Sequence, residues 1–268
     1  MVESMTTTLR TQALQVARPV AAQLAAAFMA GRVVAGTKTN RHDLVSAWDH
    51  YVEDALKSGL AGDGAVCWGE ETGREPVTAP GQLEWIIDPI DGTSNFVHGY
   101  PLFSISIAAV IDQQVVAAVV MNPVSGDEFS ADATGAYLND EPLAARPAPQ
   151  HVTQYNLVTS FPAAEILHRA PQASQLFGEL VTTFATVRRL VSGALEICYA
   201  ARGIADVVLG VDAKPWDVAA ASYILTQAGG TYLTGETGPA HLAPHYLAVA
   251  PGRSAEPIAE VFAQIRKM

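Results

Sequence analysis

Between residues 85 and 96 the chain reads WIIDPIDGTSNF. Trp85, Ile86 and Ile87 form an apolar run with strand character, and that run ends on a carboxylate. A second carboxylate, Asp91, follows Asp88 three residues on. Like charges held that close repel, and the end of a buried strand offers little water to separate them, so something must offset them. Pro89 fixes one backbone angle and Gly92 frees another, so the chain is able to bend and aim both carboxylates at one point. The Ile90 carbonyl between them has the same opportunity. Oxygen-only donors of this kind suit a hard cation such as Mg2+. Thr93, Ser94 and Asn95 are residues that open helices and turns, and free N–H groups at such a start bind phosphate. A cation site beside an anion site is the expectation.

Composition limits what that pair of sites serves. The chain has 268 residues and a formal net charge of −11, with 49% hydrophobic and 16% charged residues. It is long enough for one large domain or two small ones with a sizeable core. The negative charge disfavours nucleic acid and anionic membrane surfaces as partners, so an anionic substrate needs local positive charge, and a metal ion is the obvious source. Cys67 and Cys198 sit in apolar surroundings and read as reduced core thiols. The N-terminus shows no basic region followed by an apolar one, and the apolar stretch 16–31 is broken by Arg18, Pro19 and Gln23. No secretion signal or membrane span is expected, and the expected location is cytoplasmic.

The remaining pattern is that of a mixed α/β chain. Leu9, Ala13, Val16, Val20, Leu24 and Phe28 recur at helical spacing, with Pro19 expected to kink or restart the helix. A second helix fits 46–60. Phe103 to Ile107 alternates apolar and polar residues, the signature of a half-buried strand, and 112–114 turns it into a hairpin with 115–121. Asn139-Asp140 makes another turn. The proline-rich stretch 144–150 reads as a linker, dividing the chain into 1–143 and 144–268. Beyond it, helices are expected near 174–184, 192–202, 217–228 and 254–267, and strands near 156–160, 205–209, 231–233 and 247–250. Strands with helices, followed by alternating units, suggest two α/β layers that share an interface.

Two further acidic segments deserve weight only in company. Gly69-Glu70-Glu71-Thr72 follows Val66-Cys67-Trp68, and adjacent glutamates usually mark a solvated loop. Lys214-Pro215-Trp216-Asp217 opens a helix, where an aspartate is commonly a cap or first-turn acid. Together with the Asp88–Asp91 pair, these segments resemble the inositol monophosphatase family of Mg2+-dependent, lithium-sensitive sugar phosphatases. The resemblance rests on GEE at 69–71, WIIDPIDGTSNFVHGYP at 85–101 and KPWDVAAASYILTQAGG at 214–230, with weaker matches at 43–49 and 135–140.

The resemblance implies a layered α/β/α/β/α sandwich, usually assembled as a homodimer, that binds two or three Mg2+ ions. It implies Glu70, Asp88, the Ile90 carbonyl, Asp91 and Asp217 as metal ligands. Thr93 and Glu70 position the water nucleophile, and Asp49 stands behind Thr93. Gly92 and Thr93 hold phosphate oxygens through their N–H groups, and Lys38 approaches the site. Ser192 and Gly193, in a small-residue motif at a helix start, contact substrate together with Asp91. The implied activity is hydrolysis of a small phosphorylated substrate, with inositol monophosphate leading. Histidinol phosphate, fructose 1,6-bisphosphate, NADP and adenosine bisphosphate are the alternatives on the same core, and a non-catalytic regulatory relative is a further one.

Three positions depart from the family pattern. Gly210 stands seven residues before Asp217, where inositol phosphatases carry a glutamate that holds substrate hydroxyls. Asp212 is the candidate replacement, and if the missing glutamate accounts for an altered specificity, Gly210→Glu is expected to improve inositol phosphate turnover. Val191 replaces a glycine close to the substrate, which predicts a bulkier wall. Trp48 replaces a small polar residue and reads as packing. Two other classes fit less well. A purely structural cation site needs no hydroxyl such as Thr93, and a two-metal nuclease needs basic clusters that this chain lacks.

Overall fold

The structure is a computed structural model that describes residues 2–31, 35–37, 44–62 and 64–268. Before the proline-rich stretch run α1 (Val2–Met29), β1 (Ala35–Thr37), β2 (Leu44–Ser46), α2 (Ala47–Leu60), β3 (Val66–Gly69), β4 (Gly73–Arg74), β5 (Leu83–Asp91), α3 (Thr93–His98), β6 (Ser104–Ile111), β7 (Gln114–Met121), β8 (Glu128–Asp132), β9 (Gly135–Leu138) and β10 (Glu141–Pro142). After it come β11 (Asn156–Thr159), α4 (Ala164–Arg169), α5 (Ala173–Thr183), β12 (Thr186–Arg188), α6 (Gly193–Ala201), β13 (Val207–Gly210), α7 (Pro215–Gln227), β14 (Thr231–Leu233), β15 (Tyr246–Val249) and α8 (Glu256–Ile265).

One sheet has the order β10-β9-β8-β7-β6-β5-β3-β4 and is antiparallel except where β3 pairs with β5. The second has the order β12-β11-β13-β15-β14, with β11 parallel to both its neighbours and β15 antiparallel to both of its own. Strand side chains alternate between faces, so each sheet offers two apolar surfaces to cover. Trp85, Ile87, Ile105, Ile107 and Val119 pack under α1 and α2. Their neighbours Ile86, Ala108, Ala118 and Val120 face the other way, onto α6 and α7, which also receive Val158, Val208 and Ala248 of the second sheet. Leu157, Val207, Leu209, Leu247 and Val249 cover the far side of that sheet against Ile166, α5 and α8. The result is the expected five-layer α/β/α/β/α sandwich.

The middle layer explains the composition of α7. Val218, Ala219, Ala220, Ala221, Ile224 and Leu225 are all buried because sheets press on the helix from both sides. A helix apolar all round belongs in such a position, and alanines let the backbone approach both sheets closely.

Of the two outcomes expected at Pro19, a restart does not occur: α1 runs on through it. Pro19 and Gln15 are both exposed, so the carbonyl that loses its helical partner faces water. The alternating segment is not half-buried: Ser104 and Ser106 are as fully enclosed as their apolar neighbours. Their hydroxyls face a buried polar site rather than solvent. The Asp112-Gln113 and Asn139-Asp140 turns form as expected, with all four residues at positive φ, the requirement of a tight two-residue hairpin turn.

Packing on both sides of α7 leaves no room for growth. Ala220→Leu is expected to destabilise the fold by about 1–3 kcal/mol, seen as a lower urea midpoint with an unchanged slope.

Candidate active site

A change of register at the end of β5 creates the site. Asp88 pairs with Ser106 and Asp91 with Ser104, so three steps along β5 match two along β6. In an unbroken strand, residues three apart point to opposite faces. The extra residue of this bulge, in the Pro89-Ile90 segment, restores the parity and brings both carboxylates to the face that carries the two serines. Ile90 meanwhile sends its side chain into the apolar cluster beneath α1 and α2.

Asp91 is then gripped from the second half of the chain. Its Oδ2 accepts hydrogen bonds from Ser104 Oγ at 3.2 Å, from the Ala194 N–H at 3.0 Å and from Ser192 Oγ, while Oδ1 accepts one from the Gly193 N–H at 3.0 Å. The N-terminus of α6 thus meets a carboxylate that lies 102 residues earlier in sequence, a favourable pairing with the helix dipole. Oδ2 is saturated, and Oδ1 keeps the capacity to accept more. Asp88 is steadied by its own loop, Oδ1 accepting from the Ile90 N–H at 3.0 Å. The Thr93 hydroxyl lies 2.9 Å from Asp49 Oδ1 and 3.0 Å from the Ile90 carbonyl. Asp49, on α2, is fully buried.

Asp217 both caps and contributes. Its Oδ2 accepts from the Lys214 N–H at 2.8 Å at the start of α7, with Pro215 in the first turn. Ser106 Oγ donates to the Trp216 carbonyl at 3.2 Å, tying that start to β6. Glu70 is placed by Glu53, which no sequence pattern singled out. Fully buried on α2, Glu53 accepts from the N–H groups of Glu71 and Thr72 at 2.8 and 3.0 Å and from the Thr72 hydroxyl at 2.5 Å. Glu196 is a second such residue: buried on α6, it accepts from the N–H groups of Leu190 and Val191 at 3.1 and 3.0 Å. Asn95 completes the frame, with Nδ2 donating to the carbonyls of Leu102 and Leu190, each at 2.6 Å. All three are buried polar groups that serve backbone atoms of neighbouring loops, beyond the one-turn spacing that helix patterns mark.

These elements surround a cavity of about 230 Å³. It is lined by the expected Glu70, Asp88, Ile90, Asp91, Gly92, Thr93, Ser192, Gly193, Asp212 and Asp217. Ser192 and Gly193 spend their hydroxyl and N–H on Asp91. Asp49 stands behind Thr93, as implied, and Lys38 lies outside the described residues. Gly92 has φ of 89°, and a Cβ there would lie 2.9 Å from the Val191 carbonyl, so both conformation and space demand glycine. Trp48 is partly buried against the α1–α2 cluster and meets Tyr51 edge-on, as packing predicts.

The departures resolve less simply. Val191 adopts φ of 62°, a costly conformation for a β-branched residue, and is 53% exposed at the rim. A glutamate at 210 does not fit the site as it stands. A Cβ on Gly210 would lie 2.0 Å from Tyr246 Cε1, because Tyr246 pairs directly with Gly210 across β13 and β15 and its ring fills that space.

The charge of the cavity is one-sided. Glu70, Asp88, Asp91, Glu196, Asp212 and Asp217 line it, and among the described residues no lysine, arginine or histidine does. Burial, with Glu70 and Asp91 adding, holds the Asp88 carboxyl well above its usual range. Burial also raises Asp91 against the pull of its four hydrogen bonds. It pushes Asp217 up to about 8, with Asp91 and Glu70 adding, and Glu196 up to about 7, with Asp91 adding. Among the described residues no three carboxylate, imidazole or thiol groups converge closely enough to hold an ion as they stand. The donor set nevertheless suits a hard cation: oxygens only, anionic, crowded and without a basic neighbour. Glu70, Asp88, the Ile90 carbonyl, Asp91 and Asp217 are the groups that would hold it. The cysteines take no part, being buried thiols whose ionisation is pushed up, Cys67 to about 11.

A fold that sets clustered acids at the junction of a five-layer sandwich defines a class, and comparison with known proteins agrees. The chain belongs to the inositol monophosphatase family, whose match covers residues 5–267. It is 33% identical to an inositol-1-monophosphatase of Mycobacterium leprae over 83% of this chain and 79% of that one. It is 35% identical to the Nus factor SuhB of Pasteurella multocida over 63% of each chain. Among solved structures, an IMPase/NADP phosphatase complexed with Mg2+ and phosphate shares the fold, with a TM-score of 0.80 over 97% of this chain and 95% of that one at 19% identity.

Carboxyl groups raised by burial keep their protons better in the folded chain than in the unfolded one. Their contribution is complete below about pH 4, the unfolded value, and is lost as pH rises toward the folded values of Glu196 and Asp217, about 7 and about 8. Melting temperature in EDTA is therefore expected to fall between pH 5 and pH 8. Mg2+ should raise it more at pH 8 than at pH 5, and an equal shift at both would separate the acids from the cation. Val191→Gly is expected to relieve the left-handed strain and stabilise the fold by about 0.5–1 kcal/mol, read from denaturant midpoints.

Proposed function

We propose that this chain is a Mg2+-dependent phosphomonoesterase that releases phosphate from a small sugar-alcohol phosphate, with inositol monophosphate the leading substrate. The observation that carries the proposal is the meeting, at one cavity, of the crowded acids with a threonine hydroxyl backed by a buried aspartate. When bound, the cation supplies charge neutralisation for an anionic phosphate and for the oxygens on which charge develops. The chain supplies the rest. Thr93, in reach of Asp49 and the Ile90 carbonyl, has the position to orient an attacking water together with Glu70. The turn at Gly92 and Thr93 offers N–H groups toward phosphate oxygens. The bulge in β5 and the Asp91 grip hold these groups in place before substrate arrives, the condition under which positioning contributes most to rate.

The reading is supported by family membership and by the naming of the Mycobacterium leprae relative. The SuhB relatives favour a second reading, in which the chain acts as a regulatory partner. Phosphate release from inositol 1-phosphate, histidinol phosphate, fructose 1,6-bisphosphate, NADP and adenosine 3′,5′-bisphosphate, with and without Mg2+, separates the two. A Mg2+-dependent preference supports the enzyme; silence across the panel supports the partner. Thr93→Ala is expected to lower turnover about 10²-fold while Mg2+ binding, followed by calorimetry, stays near normal.

A further inference from the structure

The cavity has a side that no acid or metal ligand explains. Ser160, Val211, Gly210 and Tyr246 also line it, from the second sheet and its edge. Tyr246 is 2% exposed, and its ring lies flat against Tyr232 at 5.1 Å between centroids and 21° between planes. Its pairing opposite Gly210 fixes where the ring goes, and its Cε1, Cζ and hydroxyl oxygen all approach the position a Gly210 side chain would occupy. Among the described residues no hydrogen bond to that hydroxyl is seen, and, unlike the hydroxyl of Tyr232, it is not sealed away without a partner, so it opens on the cavity. A buried phenol ordinarily finds one, so an unpaired hydroxyl beside the cavity points to a ligand atom.

We propose that Tyr246 is a specificity-determining residue that meets the alcohol half of the substrate and hydrogen-bonds one oxygen of it. This rests on the phosphomonoesterase reading and deepens it. A carboxylate only accepts, so it selects hydroxyl groups and repels a bare acceptor. A phenol both donates and accepts, so it receives a ring oxygen as readily as a hydroxyl. The class of substrate that follows is a monophosphate of a six-membered polyol ring in which an ether oxygen is tolerated next to the ester carbon. Inositol 1-phosphate and glucose 1-phosphate differ at that place and should be accepted alike.

The purely structural alternative is that Tyr246 only covers the bare backbone of Gly210. Tyr246→Phe keeps the cover and removes the hydroxyl. For wild type, kcat/KM for inositol 1-phosphate and glucose 1-phosphate is expected to agree within about 10-fold. In Tyr246→Phe both should fall about 5- to 10-fold, the loss of one neutral hydrogen bond, mainly through KM. Phenyl phosphate, whose alcohol half has no such oxygen, should change less than 2-fold. Equal effects on all three substrates, or none on any, would overturn the proposal, as would a wild type that rejects glucose 1-phosphate. Calorimetric binding of inositol 1-phosphate in Ca2+ reads the same contact without turnover. Weaker binding to Tyr246→Phe in a chain that releases no phosphate upholds the contact and refutes only the phosphatase reading. Binding that ignores the substitution refutes the contact itself.

Discussion

Asp91 is the point on which the molecule turns. It ends β5 of the first sheet, yet most of its hydrogen bonds come from Ser192, Gly193 and Ala194 at the start of α6. That helix belongs to the layer both sheets share. One carboxylate therefore fixes how the Asp88–Asp91 turn sits relative to the segment 190–193 that faces it, and with that the width of the cavity. Gly92 and Asn95 reinforce the same junction, the first by close approach to Val191 and the second by bonds to Leu102 and Leu190. A cation held by Asp91 would be held by the joint itself.

The crowding of acids is a cost to the apo fold that the architecture accepts. Burial raises the proton affinity of Asp88, Asp91, Glu196 and Asp217, and neighbouring carboxylates add to it at Asp88, Glu196 and Asp217. Such a site is poised to gain more from a divalent ion than a solvated acidic loop would, because the ion relieves repulsion and replaces lost hydration together.

Much of this was legible in the sequence. WIIDPIDGTSNF announced a buried strand that ends in aimed carboxylates, and the bulge is the device by which it does so. The resemblance placed Glu70, Asp217 and Asp49 around the same cavity. What escaped was whatever depends on how loops and strands fold over one another. Glu53 and Glu196 look like ordinary helix acids, and only the loops folded over them show their work. Ser104 and Ser106 alternate as a solvent-facing strand would, because a polar site and water leave the same mark on a pattern of period two. Gly210 read as a gap waiting for a side chain, since its cross-strand partner Tyr246 lies 36 residues away in sequence.

The two sheets contribute different things to the cavity. Glu70, Asp88, Asp91 and Thr93 come from the first, whereas Gly210, Asp212 and Tyr246 come from the second and its edge. Substitutions in β13 and β15 can therefore change that wall while leaving Glu70, Asp88 and Asp91 in place. The cavity is thus composite, with one wall free to change shape while the charge of the other stays as it is.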